Sequence, residues 1–329
     1  MPPHSRENLL VLRPLLPAAT VAFGLVLLSG CSDDGSGVSA SASGSASGSL
    51  AGSGSGSLAE EDLSAGTDDP LVKQAVRDYT DYVTGQVDLL LAETTTFTDA
   101  VQAGDLEAAQ AAYAPSREPW ERVEPIAGLV SDIDGAVDAR VDDFEGPTEP
   151  EFTGWHRLEH LLFEKQTTDG AATFADRLDA DLATLQEAVA DLEIPPAAIP
   201  VGASELIEEV SLGKITGEED RYSKTDLWDF AANVEGSEAA VDVLTPALEK
   251  ADPDLLASVQ NAFDELEASL EPLRRGDGWA PYCQEDDPFP SEELCDGVTV
   301  DADTKAVLTA QLAELSERTA DMAGALDLQ

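Results

Sequence analysis

His156, Glu159 and His160 stand close together in the run Gly154-Trp155-His156-Arg157-Leu158-Glu159-His160. Spacings of three and four residues bring side chains onto one face of a helix, so imidazole and carboxylate can converge on a single cation. The remaining histidine, His4, belongs to an N-terminal leader segment. Carboxylate oxygens with one or two imidazoles suit hard or borderline cations such as iron, manganese or zinc better than thiophilic ones. His156 is the stronger expected ligand. His160 either adds a donor or packs over the site.

A second chemistry uses the same residues. His156-x-x-Glu159-His160 matches the inverted zinc-peptidase pattern, in which both histidines hold zinc, Glu159 is the general base and a distant acid such as Glu218 or Glu219 completes the shell. Three fixed positions match by chance often. The chain also lacks the mixed α/β pattern of such peptidases, so binding rather than proteolysis is the expected activity.

Other acids surround these motifs in sequence. Trp120-Glu121-Arg122-Val123-Glu124-Pro125 places two carboxylates three apart, and Asp134, Asp138, Asp142 and Asp143 come next. Taken alone they are ordinary solvated carboxylates, because 66 of the 329 residues are acidic. With only 18 Lys and Arg, the formal charge is −48, which excludes nucleic acid as a partner. It attracts cations, although a high-salt or acidic habitat selects the same surface.

The elements that must position these residues read as helices. Apolar residues recur at helical spacing at Leu71, Ala75, Val76, Tyr79, Val83, Val87 and Leu90, predicting a helix over 70–101. Asp105 is suited to cap a short helix ending near Tyr113, with Pro115, Pro119 and Pro125 interrupting the stretch after it. Further helices are expected over 154–165, 173–191, 203–213, 226–248, 253–274 and 302–326. Pro195, Pro196 and Pro200 break the chain where two helical bundles meet. No run of alternating strands, phosphate-binding loop or short repeat is present.

Before the helices lies the leader. Arg6 and Arg13 precede the apolar run Leu15 to Leu28, and Leu28-Ser29-Gly30-Cys31 resembles a bacterial lipobox. Residues 1–30 are therefore expected to be removed as a signal peptide, leaving Cys31 lipidated and the protein held at the extracytoplasmic face of the cell membrane. The stretch from Ser32 to Ser57 is almost entirely Ser, Gly and Ala, and reads as a flexible tether with a reach of about 25–30 Å. Cys283 and Cys295 lie in a Pro- and acid-rich segment between the last two helices, and an exported compartment favours their pairing. That disulfide is expected to restrain an irregular loop without touching the metal.

Four ordered motifs carry a family resemblance. Arg117-Glu118-Pro119-Trp120-Glu121-Arg122-Val123-Glu124-Pro125-Ile126, Asp138-Ala139-Arg140, Phe152-Thr153-Gly154-Trp155-His156-Arg157-Leu158-Glu159, and Lys214-Ile215-Thr216-Gly217-Glu218-Glu219-Asp220-Arg221-Tyr222-Ser223 with Thr225-Asp226-Leu227-Trp228-Asp229-Phe230 are similar to the imelysin-like EfeO family. The resemblance covers about residues 68–329. It implies an all-α domain built as a pair of helical bundles, following the signal (1–30) and the lipidated tether (31–67). It also implies an extracytoplasmic, periplasmic or surface-held lipoprotein that captures iron, as Fe2+ or Fe3+, and delivers it to an iron permease of the Efe system, which includes a haem peroxidase. The family's metal site maps onto Glu121, Glu124, Asp138, His156 and Glu159, with Glu218 or Glu219 as a further contributor. His160 departs from the family pattern. A cupredoxin-like domain found in some members has no room between tether and helices, so the chain resembles the shorter EfeM form.

Overall fold

The computed structural model describes residue 63 and residues 66–328. The expected signal peptide, Cys31 and most of the tether lie outside the described residues. Helix α1, Pro70–Ala103, starts where the Asp69 carboxylate accepts the N–H of Leu71 and Pro70 occupies the first turn. It buries Ala75, Tyr79, Val83, Val87 and Leu90 along one stripe as the periodicity predicts, with Val72 completing the stripe and Leu71 and Val76 only partly buried at its edge.

Helix α2, Leu106–Val123, is capped by Asp105 as expected, but it does not end near Tyr113. It continues through Pro115 and Pro119. Each internal proline removes a helical hydrogen bond and costs about 3 kcal/mol. Here Tyr113, Arg117, Trp120 and Glu121 all lie on the continued helix and are fully buried, so packing and ion pairing hold it. The coil tightens only at Pro125, in the 3-10 turn Glu124–Val130.

Helix α3, Ser131–Val137, was not expected from the pattern. After it come α4, Gly154–Glu159, running on as a π turn over His160–Glu164, and α5, Ala172–Ala190. Helix α6, Ala198–Leu212, begins earlier than predicted because Pro200 falls in its first turn, where an N–H lacks a helical acceptor anyway. Helices α7, Asp226–Ala251, α8, Pro253–Leu270, and α9, Ala302–Ala325, complete the set. Two-residue strands β1, Arg274–Arg275, and β2, Gly278–Trp279, form the one small hairpin among the described residues.

The protein is therefore all-α, with α1, α2 and α5 packed together and α6, α8 and α9 assembled with α7. Helix α7 also packs on α1 and α2, and buried side chains from both groups form one continuous core. Among the described residues no helix is long and apolar enough to cross a membrane. Cys283 and Cys295 are joined by a disulfide within the segment between β2 and α9.

Candidate metal centre

The site begins at the crossing of α3 and α4. Gly154 has φ +75°, and a Cβ there would lie 2.0 Å from the Val137 carbonyl oxygen. Only glycine allows this approach. Thr153 Oγ1 donates to the Ala136 carbonyl at 2.8 Å, fixing the same crossing. Asp138, immediately after α3, and His156, in the first turn of α4, consequently face each other.

A third wall comes from the segment between α6 and α7. It contains a 3-10 turn at Lys214–Thr216, a left-handed Gly217, and then Glu218, Glu219 and Asp220. Glu159 anchors it: its Oε1 accepts the backbone N–H groups of Tyr222 and Ser223, both at 2.8 Å, and the Ser223 hydroxyl at 3.0 Å. A single carboxylate of α4 thus holds the turn that carries two others.

His156 is 2% exposed and has carboxylates at both ring nitrogens. Nδ1 lies 3.3 Å from Glu159 Oε2 and 3.8 Å from Asp220 Oδ1, and Nε2 lies 3.5 Å from Asp138 Oδ1 and 3.8 Å from Glu219 Oε1. Nε2 makes no well-aligned hydrogen bond among the described residues. Two groupings could hold an ion, His156 with Glu159 and Asp220, or His156 with Asp138 and Glu219.

Charge distinguishes the two sides. Although burial opposes it, Arg117 and His156 hold Asp138 well below the usual carboxylate range, and Lys214 and Arg140 do the same for Glu219. Arg117 lies 2.5 Å from Asp138, and Arg140 lies 2.9 Å from Glu219. These carboxylates already have cations. On the other side, burial pushes Glu159 up despite His156, and burial together with Asp220 pushes the buried Asp226 well up. On the Nδ1 side only Asp220 has a guanidinium near it, Arg117 at 3.8 Å, and Glu159 has no Lys or Arg ion pair among the described residues, so an added cation is favoured there. Tyr113 supplies a further oxygen, 2.8 Å from Asp220 Oδ1 and 3.5 Å from Nδ1.

Glu121 and Glu124, expected as ligands, are placed in an adjoining ion cluster. Lys214 Nζ lies 2.9 Å from Glu121 and 2.8 Å from Glu124, Asn233 donates to both, and Arg117 pairs with Glu121 at 2.5 Å. Burial disfavours charge on Lys214, but Glu121 and Glu124 outweigh it and keep the ammonium protonated. Glu218 is partly exposed, 3.6 Å from Arg140. His160 belongs to neither grouping: its ring packs edge-on against Tyr222, and burial lowers its basicity.

Sequence reasoning singled out His156, Glu159, Asp138 and Glu219, and the structure brings the three carboxylates around the His156 imidazole. It missed Asp220, Tyr113 and the buried cations that pair with the acids, Arg117, Arg140 and Lys214 among them. Of these, Asp220, Arg117, Arg140 and Lys214 fall within the family-like motifs. Their distinguishing signal was basic residues inside acid-rich segments of a chain with few basic residues, since a buried charge needs a partner.

The family model described as imelysin, which carries a peptidase label, matches residues 75–322. Proteins described as iron uptake system component EfeO from Escherichia coli O157:H7, Escherichia coli strain K12 and Shigella flexneri are each 50% identical over 209 residues. That stretch is 63% of this chain and 56% of theirs, so the chain spans little more than half the length of these relatives.

Proposed function

The chain belongs to the imelysin family, and from that membership we propose that it captures iron outside the cytoplasm as a component of an uptake system. The carrying observation is His156, a buried imidazole with carboxylates at both nitrogens. In this reading His156 Nδ1, Glu159 and Asp220 hold the ion, with Tyr113 beside them. With the ion at Nδ1 the ring proton is left on Nε2, where Asp138 Oδ1, 3.5 Å away, is the carboxylate placed to take it up as an acceptor. Oxygen and imidazole donors suit Fe2+ or Fe3+, and also zinc or manganese. The relatives' printed description as iron uptake components supports iron as the cargo.

We further propose how the protein is placed and how it delivers. Lipid on Cys31 holds the protein at the membrane, the Ser/Gly-rich tether lets the helical domain search near it, and an iron permease with a haem peroxidase receives the cargo. The domain boundaries proposed are residues 1–30, 31–67 and 68–329.

The peptidase reading is weaker. It needs His156 and His160 on one zinc ion, whereas His160 packs on Tyr222 outside both ligand groupings. Metal analysis of protein purified without chelators, followed by titration with Fe2+ and Fe3+, tests the proposal. Saturable iron binding that His156→Ala removes is expected. Absence of binding, or cleavage of a peptide library by the wild type, would defeat it.

A further inference from the structure

The proposed ligands are almost wholly buried: His156 is 2%, Glu159 1% and Asp220 0% exposed. A cation can enter or leave only if one wall moves. His156 and Glu159 stand on α4, whose Trp155 and Leu158 belong to the main core. Glu219 and Asp220 stand on the irregular segment between α6 and α7, which has less regular backbone pairing to hold it. What retains that segment therefore controls the site.

Much of that hold comes from the loop closed by Cys283 and Cys295. Lys224, 1% exposed, reaches into the loop and lies 3.0 and 2.9 Å from the two carboxylate oxygens of Asp287. Its carbonyl accepts the N–H of Tyr282 at 2.8 Å. The Tyr282 hydroxyl donates to the Ile215 carbonyl at 2.7 Å, and Gln284 Nε2 donates to the Thr216 carbonyl at 2.8 Å. Arg221, next to Asp220, stacks over Phe289 at 4.2 Å. Gly217 is pressed so closely that a Cβ would lie 2.6 Å from Gln284 Nε2. Asp287 and Phe289 lie inside the disulfide-closed loop, and Tyr282 and Gln284 flank Cys283.

We propose that this loop is a clasp positioning the Glu219–Asp220 segment, with Lys224–Asp287 as its latch, so that cation retention depends on a pair outside the ligand set. The clasp rests on the cation-binding reading and adds what governs release. A disulfide keeps the loop short, and a buried ion pair transmits its position to the ligand-bearing turn, because a buried ammonium that loses its carboxylate is strongly disfavoured. In this proposal the disulfide, expected from the sequence to be independent of the metal, is coupled to the ligand-bearing turn through that chain of contacts.

The test compares full-length mature protein with Asp287→Asn, the conservative Asp287→Glu, and the double variant Cys283→Ser/Cys295→Ser. Amide exchange is measured first without added metal, at Tyr222 and Ser223 and, as controls, in α1 and α8. Release of bound iron to an external chelator is then followed in time. Asp287→Asn and the double variant should speed exchange in the turn and release iron about tenfold faster, equivalent to an opening about 1.4 kcal/mol easier. The controls should stay protected, and Asp287→Glu should restore both readouts. Unchanged exchange in the turn, or faster exchange spread equally over α1 and α8, would overturn the clasp. If the wild type binds no iron, the cation reading fails, and the exchange measurement still decides whether the clasp exists.

Discussion

Lys214 grips both carboxylate oxygens of Glu124, its ammonium lying 2.9 and 2.8 Å from them. Both side chains are buried, so Glu124 has an internal cation as its partner in this structure. The family resemblance implied Glu124 as a ligand. The fold pairs it with an internal cation, and mutation decides between the two roles.

Glu124→Gln should therefore cost stability rather than metal affinity. Breaking a buried pair from one side costs on the order of 3 kcal/mol, moderated here because Lys214 keeps Glu121 and because burial pushes Glu124 up towards the neutral form that glutamine mimics. Urea unfolding should show the loss while iron titration changes little. A collapse of iron affinity at unchanged stability would return Glu124 to the ligand set.

Glu159→Gln tests the opposite assignment. Loss of its charge should weaken iron binding on the order of a hundredfold and remove most of the thermal stabilisation that saturating iron gives. Asp220→Asn should act similarly and Asp138→Asn less, if Asp138 only orients the ring. As the general base of a peptidase, Glu159 would be dispensable for metal affinity and required for hydrolysis. Calorimetric titration and a peptide-library assay separate the two.

Glu238 on α7 and Glu267 on α8, the first partly buried and the second exposed, provide a pH test. Burial, followed by the nearby Glu267, pushes Glu238 up to about 7 from its ordinary value near 4.5. The folded protein thus keeps a proton that the unfolded chain releases between those values. This contribution is full below pH about 4.5, falls as pH rises through the window, and is gone above about 7. Glu238→Gln, a mimic of the protonated acid, should raise the melting temperature at pH 8 and leave it nearly unchanged at pH 4. Equal shifts at both pH values would show that charge is not the cause.

Cys31→Ser should prevent lipidation and surface anchoring if the lipobox is read correctly. Intact-mass analysis of the membrane-extracted protein should find lipid on an N-terminal Cys31 in the wild type. Any other mature N-terminus would contradict the assignment.

The helical class was legible because apolar residues from Leu71 to Leu90 repeat at helical spacing, and Asp105 caps a helix through local contacts. His156 and Glu159 were legible as partners for the same reason, being three residues apart on one helix. Where α2 ends was not legible. The prolines at 115 and 119 argue locally for interruption, and only burial between other helices outweighs them. Nor could local spacing assign charges to partners. Asp220 meets His156 from 64 residues away, Lys214 takes Glu121 and Glu124 from 90 or more, and Lys224 finds Asp287 across 63. Sequence by itself determined which chemistry was present and which helices carry it, because those depend on neighbours within a turn. The tertiary structure decided which carboxylates face the imidazole and which are neutralised by buried cations, because electrostatic pairing depends on distance in space.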